Sequence, residues 1–320
     1  MADVATELQC MEEGDIIVKV TEPTEWCSPL VVTRKKSGAV RLCVDLRSLN
    51  QAVLRERYVI PTLEDVRAKL AGARMFSSLD AASGYYQIPL DEKSRKLTTF
   101  ITPQGRYCFK RLPFGITSAS EIFQRKMSDM LSGLDGVAVY QDDIIVAGNS
   151  RDEHDSRLEK VINIIKAAGL KLNKAKCSFR QKSIEFLGHV FSQNGISPDN
   201  RKVQAILEMS PPTNVTELRR ILGMVNYLGT YIPHLSTVIK PLNDLLCKDT
   251  VWRWDSTQEK TFSEVKQLLT DAPILHYYDP ELPVIVAADA SSYGLGAVLY
   301  QTKEGTRHPV AYASRTLLIS

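Results

Sequence analysis

The sequence has 320 residues, 44% of them hydrophobic and 24% charged, with a formal net charge of +3. This composition is typical of a globular protein with two or three domains, and so small a net charge does not by itself indicate a nucleic-acid-binding protein. No apolar run is long enough to span a bilayer, and the acidic N-terminus lacks the apolar core of a secretory signal. These features exclude a membrane protein and favour an intracellular one, in the cytoplasm or the nucleus.

The first predicted element is a β-hairpin. Two β-rich runs, Leu30–Thr33 and Val40–Leu46, flank a Lys-Lys-Ser-Gly turn, which gives the hairpin a basic tip. A helix is predicted next, because Thr62 and Asp65 have the spacing of a capping box. We expect this helix to end near Gly72.

The central part of the chain alternates short apolar runs with turns. Phe76–Leu79 predicts a strand that ends in Asp80, and Tyr85–Leu90 predicts a second extended segment. Ser118–Leu131 has helical composition. Val137–Tyr140 and Ile144–Ala147 then predict a β-hairpin whose tip is Gln-Asp-Asp.

The second half of the chain changes character twice. A helix is predicted from Arg157 to Ala168, followed by a strand over Phe186–Val190. Residues 197–271 are predicted to be mainly helical, with helices opening at Ser197-Pro198, Asn214 and Ser256. Three strands are expected after this region: Val284–Ala288, Leu295–Gln301 and Pro309–Ala313.

Basic residues are concentrated in two stretches. Seven lie between Arg34 and Arg57, against only two acidic residues, and six lie between Lys166 and Lys182 with no acidic residue among them. Such stretches suit a track for nucleic-acid phosphates. The alternative is an ordinary solvated surface.

Three aspartates form the main candidate site. Asp142 and Asp143 are weak evidence alone, because aspartate is common in turns. Asp80 also ends an apolar strand, and no basic residue adjoins it in the sequence. Three acids at strand ends would repel one another, and a bound divalent cation would neutralise them. Two Mg²⁺ ions, or Mn²⁺ in their place, suit phosphoryl transfer at such a site.

The chain resembles reverse transcriptases in three consecutive motifs, FSSLDAASGYYQIPL, RLPFGITSASEIFQRKM and VYQDDIIVAG. They are most similar to the Pol polyproteins of gypsy-type long-terminal-repeat retrotransposons. Further blocks of the same family are matched in the same order by WCSPLVVTRKKSGAVRLCVDLRSLN, AGLKLNKAKCSF and IEFLGHVFS. The resemblance covers nearly the whole chain and implies that Asp80 and Asp142 bind the catalytic metals, with Asp143 in the same site.

The resemblance also implies roles for basic residues. Arg41 and either Lys35 or Lys36 would reach the incoming triphosphate, arginine through a forked contact and lysine as a point charge. Lys174 or Lys176 would be the general acid towards pyrophosphate. The choice between these two lysines stays open, as does the alternative that each is a surface residue.

The nucleotide pocket implied by the resemblance includes Ala81, Tyr85, Phe114 and Gly115. Tyr85 would lie under the sugar and exclude a 2′-hydroxyl, and the alternative is a core tyrosine. Some retroviral enzymes have glutamine at the position of Phe114, so a polar contact is missing here. The segment that resembles the primer grip consists of Phe186, Leu187, Gly188 and His189, where His189 is more often a packing residue than a catalytic one.

The last forty residues resemble the start of a ribonuclease H domain, through VIVAADASSYGLGAVLYQ. Asp289 would be its first metal-binding acid, a vestigial one, because Glu304 is the only acidic residue that follows it. The expected helix with the next acid is not reached before Ser320. We therefore expect ribonuclease H activity to be absent and read the chain as a fragment.

The fold expected is an α+β right-hand polymerase followed by the truncated start of a ribonuclease H-like α/β domain. Fingers and palm should occupy residues 1–190, a helical thumb and connection 191–275, and the ribonuclease H-like part 276–320. The predicted reaction adds deoxynucleoside triphosphates to a primer 3′ end on an RNA or DNA template. Two alternatives stay open: a non-catalytic nucleic-acid-binding relic, or a ribonuclease H of the same polyprotein. The oligomeric state is not predicted.

Overall fold

Helices and strands alternate along the chain in a computed structural model that describes residues 2–34, 38, 40–248, 250–292 and 294–317. The contacts between Cα atoms divide the chain into two units. The first comprises Met1–Val66, Ser77–Ala147 and Asp152–Phe179, and the second comprises Arg67–Phe76, Gly148–Arg151 and Arg180–Ser320. No helix among the described residues is both long and apolar enough to cross a membrane.

Two sheets and their covering helices account for the chain up to Gln181. The strands are β1 (Ile17–Val20), β2 (Ser28–Arg34), β3 (Val40–Val44), β4 (Met75–Asp80), β5 (Phe100–Thr102), β6 (Gly105–Phe109), β7 (Val137–Tyr140), β8 (Asp143–Gly148) and β9 (Ser178–Gln181). The helices are α1 (Ala2–Glu13), α2 (Arg47–Ala52), α3 (Leu63–Leu70), α4 (Glu92–Leu97), α5 (Ala119–Met130) and α6 (Arg151–Ala168).

The first sheet has the strand order β1-β6-β5-β2-β3. Strands β2 and β3 pair antiparallel, with Leu30 opposite Val44, so the predicted hairpin is confirmed. Its tip, residues 35–37 and 39, lies outside the described residues. Helix α1 covers this sheet by packing Leu8 and Met11 against buried aromatic residues of β5 and β6.

The second sheet has the order β7-β8-β4-β9 and carries the acidic hairpin. After its first residue, Asp143, strand β8 is an unbroken apolar run, as expected for a strand buried on both faces, and Ile144, Ile145 and Val146 are fully buried. Helix α5 packs Phe123 and Met127 into the same core. Strand β8 is therefore fixed by its neighbours β7 and β4 and by the packing of α5.

Two expectations for this region need correction. Tyr85–Leu90 is not extended throughout, because Gly84–Gln87 forms a 3₁₀ helix that is entered through a left-handed Ser83 with φ of 51°. Only Ile88–Leu90 runs alongside 110–112 as an extended segment. Helix α6 begins six residues earlier than predicted, at Arg151, and its acidic first turn suits the positive end of the helix dipole.

The second unit contains most of the remaining elements. The helices are α7 (Asn200–Leu207), α8 (Val215–Tyr227), α9 (Leu235–Val238), α10 (Lys240–Asn243) and α11 (Ser256–Thr270). The strands are β10 (Ser183–Phe186), β11 (His189–Ser192), β12 (Gly195–Pro198), β13 (Val284–Ala290), β14 (Gly294–Lys303) and β15 (Thr306–Thr316). The predicted helix starts at Asn214 and Ser256 and the three C-terminal strands are confirmed.

Two predictions in this unit were wrong. Phe186–Val190 is not one strand, because Leu187 and Gly188 both adopt left-handed φ angles and form the tight turn between β10 and β11. Ser197-Pro198 does not open a helix but ends β12, where Ile196 pairs with Leu275. Helix α7 starts later, at an N-cap that Asp199 provides.

Candidate active site

Asp80 and the acidic turn meet because their strands are neighbours. Asp80 ends β4, Asp142 lies in the turn between β7 and β8, and Asp143 begins β8. Strands β4 and β8 are adjacent in the sheet. The amide of Ala81 donates a hydrogen bond of 2.8 Å to the carbonyl of Asp142, which ties the two strand ends together. The three acids thus lie at adjoining strand ends, and their role as metal ligands stays a prediction.

The acids are held in an unfavourable electrostatic environment. Burial raises the pKa of Asp142, and repulsion from Asp80 and Asp143 raises it further. Burial and repulsion from Asp80 likewise raise the pKa of Asp143. The Oδ1 atom of Asp142 is buried and has no hydrogen-bond partner among the described residues. Uncompensated carboxylates of this kind are typical of functional sites.

Lys176 supplies partial compensation. Its Nζ lies 3.0 Å from Oδ2 of Asp80, and this hydrogen bond raises the pKa of the lysine. The segment that carries Lys176 is anchored beside Asp80, since the amide of Asn173 donates to the carbonyl of Asp80. The side chain of Gln87 bridges the carbonyl of Ala82 and the amide of Lys171 in the same segment. The structure therefore brings Lys176, rather than Lys174, to the acids.

Gly84 makes room for Asp142. A Cβ atom at this glycine would collide with Oδ1 of Asp142 and would lie 2.8 Å from Cζ of Phe123. Gly84 was not among the residues predicted for the site. The sequence signal for its role is the glycine itself, because an isolated glycine in an apparently extended segment often marks a close approach by other atoms.

Gln124 fixes the backbone of the acidic turn through two hydrogen bonds. This fully buried residue of α5 accepts a 2.7 Å hydrogen bond from the amide of Gln141 and donates one of 3.1 Å to the carbonyl of Val139. Gln141 itself has a left-handed φ of 52°. Sequence reasoning missed Gln124, although a polar residue on the apolar face of a helix was a usable signal.

Aromatic residues line the neighbouring part of the site. The ring centroids of Tyr85 and Phe114 are 4.9 Å apart, and Phe114 is 40% exposed. Gly115 follows in a left-handed conformation, and its carbonyl accepts a 2.8 Å hydrogen bond from the side chain of Asn50. Ala81, by contrast, is buried beneath the site. The nucleotide contacts predicted for these residues stay predictions.

The triphosphate contacts predicted for the basic hairpin also stay predictions. Lys35 and Lys36 lie outside the described residues. Arg41 lies on β3 with its Cα opposite Thr33, but its side chain is outside what the structure describes.

The segment predicted to grip the primer lies in the second unit. The hydroxyl of Tyr227 donates to the carbonyl of Leu187, and Lys202 places its ammonium group 4.1 Å from the centre of the Tyr227 ring. His189 is buried and shares a 2.7 Å hydrogen bond with the hydroxyl of Tyr231. Burial, reinforced by the charges of nearby cations, lowers the pKa of His189 to about 4, so it is neutral at pH 7. This geometry suits a packing role.

Asp289 lies near the end of an edge strand of the C-terminal sheet. It belongs to β13, where it is exposed, and its carboxylate accepts a 2.9 Å hydrogen bond from the amide of Ala290. Its predicted role as a vestigial metal ligand stays a prediction.

Divalent cations fit the donor set of the first unit. As the side chains stand, no three acidic, histidine or cysteine residues of the described part of the chain converge closely enough to hold a metal. The group near Asp80 nevertheless offers hard carboxylate oxygens, one of them buried without a partner, and its charges repel. Such oxygens are the preferred ligands of Mg²⁺. Asp80, Asp142 and Asp143 are the residues that would hold it.

Two family models match the chain. Residues 33–191 match the model described as "Reverse transcriptase (RNA-dependent DNA polymerase)", and residues 254–319 match "RNase H-like domain found in reverse transcriptase". The domain boundaries predicted at 190 and 275 are a separate matter and stay a prediction.

Curated relatives include transposon polyproteins of Schizosaccharomyces pombe. The chain is 34% identical to the Tf2-3 polyprotein over 301 residues and 33% identical to the Tf2-7 polyprotein, covering 93% of this chain in each case. It spans 22% of the length of these relatives.

Solved structures of a foamy viral protease-reverse transcriptase are also similar. One complex with double-stranded DNA has a TM-score of 0.90 at 25% identity, covering 99% of this chain and 56% of that chain. A second such complex has a TM-score of 0.89 at 25% identity, covering 99% and 66%. The polymerase fold followed by a ribonuclease H-like domain is thereby confirmed. The chain belongs to the reverse transcriptase family, and its curated relatives are transposon polyproteins.

Proposed function

We propose that the chain is an RNA-directed DNA polymerase, which adds deoxynucleotides to a primer 3′ end. The single observation that carries this proposal is the set of Asp80, Asp142 and Asp143 at adjoining strand ends, with one buried carboxylate oxygen lacking a partner. In the reaction, the primer 3′-oxygen forms a bond to the α-phosphorus, and the bond from that phosphorus to pyrophosphate breaks.

Asp80, Asp142 and Asp143 would hold two Mg²⁺ ions, or Mn²⁺ in their place. The chemistry that such ions supply when bound is neutralisation of phosphate charge and activation of the attacking hydroxyl. The turn residue Asp142 is fixed for this purpose by Gly84 and by the bond from Ala81 to its carbonyl. Preorganised groups of this kind need no rearrangement during the reaction.

Lys176 is the candidate proton donor to the leaving pyrophosphate. It is exposed, so it can reach the triphosphate, and its contact with Asp80 keeps it protonated at neutral pH. Lys174 is also exposed but lacks the contact with Asp80. The general acid is thus assigned to Lys176 within this proposal.

The nucleotide is proposed to sit over Tyr85 and Phe114, with the sugar against the Tyr85 ring. The partner is a duplex of primer and template. Support comes from the similar foamy viral enzyme, whose structures were solved with double-stranded DNA and with an RNA/DNA hybrid. The basic stretches of the sequence suit such a polyanion.

Primer extension tests this function directly. The full chain, a DNA primer on an RNA template, Mg²⁺ and the four deoxynucleoside triphosphates should give template-directed products. Binding of primer and template is measured in parallel by fluorescence anisotropy. A chain that binds the duplex tightly yet adds no nucleotide would be a non-catalytic nucleic-acid-binding protein, and the proposal would be wrong.

A further inference from the structure

The hydroxyl of Tyr85 is attached to two different elements. It donates a hydrogen bond of 3.3 Å to Oε1 of Gln141 in the acidic turn, and it lies 3.0 Å from Oγ of Ser120 on α5. One assignment of hydrogens satisfies both contacts: the phenol donates to Gln141 and accepts from Ser120. The end of the ring that is farthest from the backbone is therefore fixed.

The two partners of the hydroxyl are themselves connected. Nε2 of Gln141 donates a 3.3 Å hydrogen bond to the carbonyl of Ser120. The backbone amide of Gln141 is held by Gln124, a buried residue of the same helix. Helix α5 thus grips both the acidic turn and the tyrosine hydroxyl, and the four residues form one network.

The faces of the ring are packed as well. Phe123 meets Tyr85 edge-on with ring centroids 5.5 Å apart, and Phe114 lies at a tilt with centroids 4.9 Å apart. Packing alone leaves a ring free to rock about its Cα–Cβ bond. The hydroxyl contacts remove this freedom, so the ring keeps a fixed position next to the acidic turn.

We propose that Ser120 and Gln141 are positioning residues that hold the Tyr85 ring in place and thereby set the preference for deoxynucleotides over ribonucleotides. This inference rests on the proposed function, in which the ring lies under the sugar. Exclusion of a 2′-hydroxyl depends on close contact between the ring and the sugar, so a ring that can move away discriminates less. The bulk of the ring and its attachment are then separate contributions to specificity.

Two substitutions separate these contributions. Tyr85→Phe keeps the bulk and removes the attachment, whereas Ser120→Ala removes one attachment point and leaves the tyrosine. Ser120→Ala should lower the ratio of kcat/KM for a deoxynucleotide to that for the matching ribonucleotide by about fivefold, the factor that one neutral hydrogen bond is worth. Tyr85→Phe, which removes both contacts of the hydroxyl, should lower this ratio at least as much. The double variant should lose little more than Tyr85→Phe alone, because that substitution already removes the contact that Ser120→Ala removes.

The control is Ser132→Ala, an exposed serine just beyond the end of the same helix. It should leave the ratio unchanged. If Tyr85→Phe and Ser120→Ala reduce incorporation of both nucleotides equally and leave the ratio unchanged, the specificity role is wrong and the network is only structural.

A second measurement judges the attachment without relying on activity. The same double-mutant cycle in urea unfolding should give a coupling between Tyr85 and Ser120 of about fivefold in the unfolding equilibrium constant. Absence of coupling would overturn the attachment itself. A wild-type chain that shows the coupling but extends no primer would overturn the proposed function, and the specificity claim with it, while the attachment would stand.

Discussion

The two acidic sites of this molecule lie in contrasting surroundings. In the first unit, Asp142 and Asp143 have raised pKa values, since both are partly buried and both are repelled by Asp80. In the second unit, Asp289 is exposed on a strand, and its carboxylate is satisfied by the amide of the next residue. Both sites were expected to bind metal from the resemblance of the sequence.

The difference lies in what holds each carboxylate. Asp142 is constrained by Gly84, by the bond from Ala81 and by a turn that Gln124 supports. Its charge stays uncompensated on one oxygen, so a bound cation would relieve repulsion that the fold imposes. Among the described residues, the carboxylate of Asp289 is hydrogen-bonded only to the amide of Ala290 on the same strand. A carboxylate that is constrained and repelled by its neighbours is the stronger indication of catalysis.

The largest expected effect comes from Asp142→Asn. Removing this charge should lower the rate of primer extension by about a thousandfold or more, because a group that holds catalytic metal is lost. Duplex binding, measured by anisotropy, should be nearly unchanged. The matched control is Asp289→Asn, which should extend primers as the wild-type chain does. An active Asp142→Asn protein would show that the metal-binding residues are wrongly assigned, and an inactive Asp289→Asn protein would remove the contrast.

The second prediction concerns a buried histidine of the second unit, His189. His189 has a pKa lowered to about 4 from an ordinary 6.5, so between these values the unfolded chain binds a proton that the folded chain does not. Stability should therefore fall as the pH is lowered from 6.5 towards 4, by roughly 3 kcal/mol in all. Urea unfolding at a series of pH values, followed by the fluorescence of Trp252 and Trp254, measures this slope.

The control for this slope is an exposed histidine. His189→Gln should flatten the pH dependence of the unfolding free energy, whereas His234→Gln should leave it as in the wild-type chain. A wild-type chain that is equally stable at pH 6.5 and pH 4.5 would contradict the prediction. Confirmation would mean that the burial of neutral His189 contributes to the stability of the fold, whereas the partly buried acids of the first unit are assigned to catalysis.

The catalytic acids were predictable from sequence because their signal is local. Asp80 and the Asp142-Asp143 pair each follow or separate apolar runs, and such runs become buried strands whatever surrounds them. The β2–β3 and β7–β8 hairpins were predictable for the same reason. A resemblance in several ordered motifs then supplied the family and, with it, the overall fold.

The sequence could mark the supporting residues as unusual, but it could not predict their roles, because those roles depend on contacts with residues distant in the chain. Gln124 matters only because α5 packs behind the β7–β8 turn, and Gly84 only because a 3₁₀ helix places it against Asp142. The choice between Lys174 and Lys176 likewise depends on a contact with a residue distant in the chain. Spacing along the chain leaves both open, whereas the pairing of Asn173 with Asp80 directs Lys176 to the acids.

The third prediction tests that choice. Lys176→Gln should lower the maximal rate of extension by about a hundredfold, the usual loss for a general acid, with a smaller change in KM. Lys174→Gln, two residues away and equally exposed, should stay within about twofold of the wild-type rate. Single-turnover kinetics measures both. Equal losses in the two variants would mean that the lysines act through general phosphate attraction instead of proton donation.

The smallest of these effects is expected from Gly84→Ala, which tests whether the space beside Asp142 matters. The added methyl group would collide with Oδ1 of Asp142 and press on Phe123, so the carboxylate must be displaced. Such a displacement should lower the extension rate by about tenfold, with duplex binding retained. Gly223→Ala is the matched control, since a Cβ there meets nothing within 4 Å. Because Gly223 is an exposed residue of α8, the substitution should raise the free energy of unfolding by about 0.5 kcal/mol and leave the activity unchanged. Full activity of Gly84→Ala would mean that Asp142 is not constrained by its surroundings, and the contrast with Asp289 would then rest on burial and charge alone.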